Sequence, residues 1–286
     1  MSLNEQEWFT EIFENSAFSV RYSKKLVDLQ SDFQRIEIFE SVCMGRVLIL
    51  NGCFMVTDKD AFVYHEMLVH PAMALLATPR RALVIGGGDG GAVTELTKYP
   101  ELTTITLCEI DGKVIDSCRE FFPEVSKGLD DPRVNVIVGD GAAYARESDE
   151  QFDLILVDST DPVGPAEVLF QSPFYEAVRK SLRPGGLAVF QTESPLFMED
   201  VFRSAVHNLG TVFGHGSVRP YLATIPCYPG GLWSFTLCSG DSYSYDPANP
   251  DSFGRLPTAL RYYTADIHRA AFALPAFAQQ SLERLP

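Results

Sequence analysis

Positive charge is scarce in this chain of 286 residues: 23 lysines and arginines stand against 38 aspartates and glutamates, a formal net charge of -15 with a sequence pI near 4.7. Such a surface repels phosphate at long range, so neither nucleic acid nor an anionic membrane is expected as a partner. A long apolar run is also missing. The most hydrophobic stretch, residues 67–77, is broken by His70 and Pro71 and is too short to span a bilayer. The first thirteen residues carry Glu5, Glu7 and Glu11, the reverse of a basic secretory leader, which points to a cytoplasmic location. The six cysteines, at 43, 53, 108, 118, 227 and 238, form no C-x-x-C pair, and the five histidines are scattered. Reduced thiols and no metal site are the expectation.

What remains is ordinary globular material, 46% hydrophobic and 21% charged. The expected organisation divides at residue 75. Residues 1–75 read as a small antiparallel β domain with a linking helix, and residues 76–286 as a catalytic α/β domain. Phe18–Tyr22, Phe33–Phe39 and Arg46–Leu50 are β-rich runs separated by Ser31-Asp32, Gly45 and Asn51-Gly52, which predicts two or three hairpins. In Phe33–Phe39 the apolar residues alternate with Gln34, Arg35 and Glu37, predicting one buried face and one polar face. Residues 58–76 read as a helix bent or ended near Pro71.

From Arg81 to about residue 210, apolar strands alternate with helices. Strands are predicted at Ala82–Ile85, Thr104–Cys108, Val134–Val138, Phe152–Val157 and Leu187–Phe190. Strands that are apolar throughout and alternate with helices build a parallel sheet covered on both faces, a doubly wound α/β fold. Ligands in such sheets sit beyond the carboxyl ends of the strands, so the residues there are the functional candidates.

After the first strand comes GGGDGG, residues 86–91. Glycines let a ligand approach the backbone, and alone they indicate only a nucleotide-like ligand or tight packing. Asp89 is more selective. A carboxylate about 4 Å from a pyrophosphate would cost on the order of 4 kcal/mol at an effective dielectric near 20, which disfavours a dinucleotide. Glu109 ends the second strand, where an acid accepts hydrogen bonds from a ribose diol. Asp140-Gly141 follows the third, either as an adenine contact or as a simple turn. After the fourth strand come Asp158 and Asp161, in a loop stiffened by Pro162 and Pro165. Asp89, Asp158 and Asp161 are thus expected to converge with no lysine or arginine in these loops to balance them, a cluster that calls for bound cations.

These residues, GGGDGG at 86–91, CEID at 108–111, GDG at 139–141, DSTDPVGP at 158–165 and TIPCYPGG at 224–231, resemble the spermidine synthase family. YHEM at 64–67 and the tail RYYTADIHRAAFALP at 261–275 extend the resemblance from about Trp8 to the C-terminus. It implies a Rossmann-like methyltransferase-type doubly wound sheet with a small N-terminal antiparallel β domain, assembled as a homodimer or homotetramer. The implied reaction moves the aminopropyl group of decarboxylated S-adenosylmethionine to putrescine. The donor is then a co-substrate, and no cofactor or metal is implied. By the same resemblance Gln34, His65, Asp89, Glu109, Asp140, Gly141 and Pro165 contact the donor, Asp158 is the general base, and Tyr64, Asp158, Asp161 and Tyr228 hold the acceptor amine. Met55, Ala61 and Cys227 depart from the family's usual residues. Trp8 either roofs the acceptor pocket or packs against the sheet, and the aromatic tail is expected to pack. An ordinary methyltransferase, a noncatalytic binder, or transfer to cadaverine, agmatine or spermidine are the alternatives on the residues alone.

Overall fold

The computed structural model describes residues 7–284 except Glu14, Val163, 242–245, 248–252 and 254–255. Two sheets organise these residues. The first is a five-stranded antiparallel meander of β1 (Trp8–Phe13), β2 (Ser16–Gln30), β3 (Arg35–Ser41), β4 (Gly45–Leu50) and β5 (Cys53–Thr57). It holds β1 and β5 beyond the expected runs. Asn51-Gly52 makes the β4–β5 turn, both residues having positive φ (49° and 90°), the conformation that a two-residue hairpin demands.

The polar face expected for β3 is exposed at Arg35 but not at Glu37. Ile36 and Ile38 face one apolar cluster while Phe39 joins another, and Glu37 between them is buried. Glu37 sits there because Lys25 and Arg35 neutralise it at 2.7 and 3.0 Å. Strand alternation alone cannot distinguish a solvated acid from one paired across the sheet.

The second sheet has seven strands in the order β11-β12-β10-β9-β6-β7-β8. Strands β6 (Arg81–Gly86), β7 (Thr104–Glu109), β8 (Val134–Val138), β9 (Phe152–Asp158) and β10 (Leu182–Gln191) run parallel, as their apolar sequences predict. The antiparallel pair β11 (Val218–Thr224) and β12 (Leu232–Ser239) extends the β10 edge and was not expected. Helices α1 (Ala61–Met73), α2 (Gly91–Thr97), α3 (Gly112–Phe121), α4 (Pro123–Ser126), α5 (Gly141–Glu147), α6 (Ser172–Ser181) and α7 (Glu199–Phe213) surround the sheet, with α8 (Ala265–Ala271) and α9 (Ala276–Glu283) in the tail. The chain winds from β6 outward through β7 and β8, then returns to add β9 on β6's other side. That reversal opens the crevice in which the candidate acids lie.

Helix α1, expected to travel with residues 1–75, packs into the larger sheet. Its Met67, Leu68, Val69, Ala72 and Met73 share one core with Val84, Leu107 and Leu156. It runs through Pro71 and ends two residues later, at Met73, close to where the proline was expected to end it. Pro71 offers no N–H to the Met67 carbonyl one turn earlier. The Tyr221 hydroxyl of β11 donates to that carbonyl instead, at 2.8 Å. Tyr221→Phe leaves the carbonyl buried and unmatched, and is expected to cost about 1 to 3 kcal/mol in urea unfolding; no measurable loss would remove the hydroxyl from this role.

Candidate active site

Five parallel strands deliver an acid or a glycine loop to one crevice, and α1 closes it from above. Two cavities result. The larger, about 1230 Å³ including its mouth, is lined among others by Gln34, Tyr64, His65, Asp89, Glu109, Asp140, Gly141, Asp158 and Tyr228. The smaller, about 490 Å³, is lined by Glu11, Asp161, Gln191, Glu193 and Trp233. Met55, Tyr64, Ser159, Thr160 and Tyr228 border both, so the cavities meet there. No lysine or arginine is among the described residues of either wall.

At the inner end of the larger cavity, Glu109 accepts from the Gly88 N–H at 3.1 Å and the Asp111 N–H at 2.8 Å. Burial pushes it up to about 7 despite both donors. Asp140 caps α5, accepting from the Ala142 and Ala143 N–H groups through one oxygen, which leaves the other oxygen for a ligand. Its turn role and a ligand role are therefore compatible. Gln34 reaches the cavity from the β2–β3 loop and donates to Asp111 at 3.0 Å. The side chain of Pro165, expected at the donor, lies outside the described residues.

The centre holds a charge relay of contacts. His65 Nε2 lies 3.0 Å from Asp89 Oδ1, which also accepts the Gly91 N–H at 2.6 Å. Burial opposes both charges, yet the pairing wins: His65 is pushed up to about 9 and Asp89 is held below its ordinary range. The pair is therefore ionised at neutral pH. Tyr64 donates to Asp158 Oδ1 at 2.7 Å, while Asp158 Oδ2 is buried without a partner. Burial, then the Asp89 charge, push Asp158 up to about 7.

Two expectations are corrected here. Asp161 does not join Asp89 and Asp158: it lies in the smaller cavity, hydrogen-bonded to Glu193. The neighbour that raises Asp158 is accordingly Asp89, not Asp161. And a cation does balance the cluster, since the imidazolium of His65 comes from a helix outside the loops first considered. His65, Asp89 and Asp158 present donor atoms within 4.8 Å of one another, the spacing of a divalent site. A metal bound there would have to displace the proton that Asp89 holds on His65.

Glu193, Gln191 and Glu11 were not foreseen. Burial and Asp161 push Glu193 well up, and Gln191 Nε2 donates to it at 3.0 Å. Gln191 ends the fifth parallel strand and Glu193 stands just past it, so the strand-end rule that found Glu109 would have found them. Glu11 had no such signal: it arrives on β1, accepting the Phe54 N–H at 2.9 Å, and burial pushes it up to about 7. Trp8 lines neither cavity; its strand contributes Glu11 and Phe13 instead. Tyr228 donates to the Met55 carbonyl at 3.2 Å, a main-chain contact indifferent to the unusual residue at 55. Among the tail aromatics, Tyr263 and His268 are buried and bonded to each other, as packing groups.

The raised carboxylates predict how stability follows pH. Glu11, Glu109 and Asp158 ionise near 4 when unfolded and near 7 when folded, so the folded state binds more protons between those values. Stability of the unliganded protein should therefore fall as pH rises from about 4.5 through 7, and cationic ligands should restore it. A melting temperature that climbs over this window without ligand would contradict the assignment.

Comparisons with known proteins agree with this geometry. Residues 61–247 match the family described as "Spermine/spermidine synthase domain", and residues 7–58 that described as "Spermidine synthase tetramerisation domain". The polyamine aminopropyltransferase of Moorella thermoacetica is 43% identical, covering 96% of both chains. Spermidine synthase 2 of Arabidopsis thaliana is 39% identical over 96% of this chain and 84% of its own. Among solved structures, a spermidine synthase in complex with the transition state analogue AdoDATO superposes with a TM-score of 0.93 at 36% identity, covering 99% of this chain and 97% of that one. The spermidine synthase of Thermotoga maritima gives 0.90 at 34% identity, with the same coverage.

Proposed function

The chain belongs to the spermine/spermidine synthase family and is an aminopropyltransferase, and we propose that it transfers the aminopropyl group of decarboxylated S-adenosylmethionine to putrescine with Asp158 as general base. The observation that carries this reading is the meeting of two acidic cavities at Tyr64 and Tyr228, beside Asp158, which lines the larger one. The larger cavity takes the donor. Glu109 receives its ribose hydroxyls, Asp140 and Gly141 border the adenine, Gln34, His65 and Pro165 frame the rest, and Asp89 attracts its terminal ammonium. An intact donor would bring a carboxylate toward Asp89, which is why transfer of a methyl group is disfavoured.

The smaller cavity takes the acceptor. One nitrogen lies at the junction between Asp158, Tyr64 and Tyr228, and the far ammonium lies among Asp161, Glu193 and Glu11. Displacement is in line. The neutral amine forms a bond to the methylene beside the sulfonium, the carbon–sulfur electrons go to sulfur, and methylthioadenosine leaves. An alkylamine with a pKa near 10.4 is neutral in roughly one molecule in a few thousand at pH 7, equivalent to about 4 to 5 kcal/mol. Asp158, raised to about 7, is a stronger base than an ordinary aspartate and takes that proton on its free oxygen. Holding nucleophile and sulfonium in line supplies several kcal/mol more.

The same reading makes the protein a cytoplasmic oligomer, a homodimer or homotetramer formed through residues 7–58, where Ile12 of β1 and Val42 of the β3–β4 turn are exposed. The division at residue 75 stays a proposal about folding units. The test is to incubate the protein with decarboxylated donor and putrescine, cadaverine, agmatine or spermidine, and to quantify methylthioadenosine for each. Putrescine should give the highest kcat/KM. Glu193→Gln should raise the putrescine KM by about tenfold to a hundredfold with little change in donor affinity. Release no faster with putrescine than with no amine would end the proposal.

A further inference from the structure

Glu66 of α1 and the aromatic tail take no part in substrate contact as read above, yet the two are locked together. Glu66, at 1% exposure, accepts three main-chain N–H groups from the tail: Arg261, Tyr262 and Tyr263, each at 2.8 Å. Residues 62, 66 and 70 share one face of α1, because positions four apart lie above one another. All three meet the tail or its neighbours. The Arg261 guanidinium lies 3.7 Å from the Phe62 ring centre, and the Tyr263 ring lies 5.5 Å from that of His70.

Tyr64 and His65 lie on other faces of the same turn, since each residue advances the helix by about 100°. They carry the contacts to Asp158 and Asp89. The helix is thus gripped from two sides within one turn, by the tail behind and by the catalytic acids in front. We infer that Glu66 is a positioning residue: by tying residues 261–263 to α1 it sets the seat of the helix, and with it the Tyr64–Asp158 and His65–Asp89 contacts. The inference rests on the reading of Asp158 as the base, because it acts through that residue.

A carboxylate suits the task better than its amide. Three N–H groups converge on two oxygens, and Glu66→Gln replaces one of those oxygens with a group that donates. The slackened turn lets α1 lift, hydrates Asp158 and weakens the Tyr64 contact. Hydration returns Asp158 toward the ordinary carboxylate range, making it a weaker base.

The test compares wild type, Glu66→Gln, Arg261→Ala and Asp158→Asn by kcat against pH, each assayed well below its own melting temperature. Glu66→Gln should lower kcat about tenfold and move the acidic limb of its pH profile to lower pH, with donor affinity kept within about threefold. Arg261→Ala, which removes only the cover on Phe62, should move both in the same direction by less. A folded Glu66→Gln enzyme with wild-type kcat and an unmoved pH profile would overturn the inference. If that variant does not fold, an unmoved profile in Arg261→Ala overturns it equally. Full turnover by Asp158→Asn would strike at the base assignment, whereas an unmoved profile in Glu66→Gln strikes at Glu66 alone.

Discussion

Asp158→Asn is expected to lower turnover by about a thousandfold or more, on the order of 4 kcal/mol in activation free energy, while donor affinity stays within about threefold. The reason is local. Tyr64 already occupies Oδ1, and the unpartnered Oδ2 is the oxygen left for the amine proton. An asparagine keeps the acceptor for Tyr64, so the helix stays seated and the cavity survives. At the second position the amide offers hydrogens to a nitrogen that must lose one. In the wild type, kcat should rise with pH through about 7 as Asp158 ionises. In the variant that rise should vanish. Methylthioadenosine release measured from pH 6 to 9, with calorimetric donor binding beside it, separates the two effects. A variant within tenfold of wild type at pH 8 would mean that solvent, not Asp158, takes the proton.

Gly86→Ala is expected to fail more completely, and for a reason independent of charge. Gly86 closes β6 in register with Asp158 of β9, and its φ is +77°. A Cβ there would sit 2.1 Å from the Asp158 carbonyl oxygen. That oxygen is fixed backbone and already accepts the Gly87 N–H at 2.9 Å. Left-handed φ alone costs an alanine roughly 1 to 2 kcal/mol. The overlap forces β6 and β9 apart at the crevice, so a total above about 3 kcal/mol is expected, a large share of a typical domain's 5 to 15. Gly52→Ala is the control: its φ is +90°, but nothing lies within 4 Å of the added carbon. It should lose only about 1 kcal/mol and keep full activity. Equal losses in urea unfolding for the two variants would show that conformation, not contact, dominates at Gly86.

The parallel half of the fold was legible because its signal is local. Strands β6 to β10 each carry a mostly apolar run, and each is followed by turn residues and a helical stretch. The acids at 89, 109, 140 and 158 follow from one rule about strand ends. Other features depend on partners distant in sequence. Nothing near Glu37 says that it is buried, since Lys25 and Arg35 make burial tolerable only once β2 and β3 pair. His65 lacks any motif that marks it as a cation; Asp89 supplies the charge that keeps its proton. Helix α1 runs through Pro71 and ends at Met73, and the bond that the proline cannot make is supplied by a tyrosine far along the chain, which no local pattern announces. Asp161 was drawn into the wrong cluster because spacing of three residues in a loop says nothing about which wall each side chain faces.

The acceptor cavity also bears on how the molecule comes to life. Glu11 lines the same cavity as Gln191 and Glu193, although 180 residues separate Glu11 from Gln191 along the chain. A pocket assembled from such remote segments closes late, because long loops must be ordered before their contacts contribute. During refolding, recovery of circular dichroism should therefore run ahead of recovery of turnover.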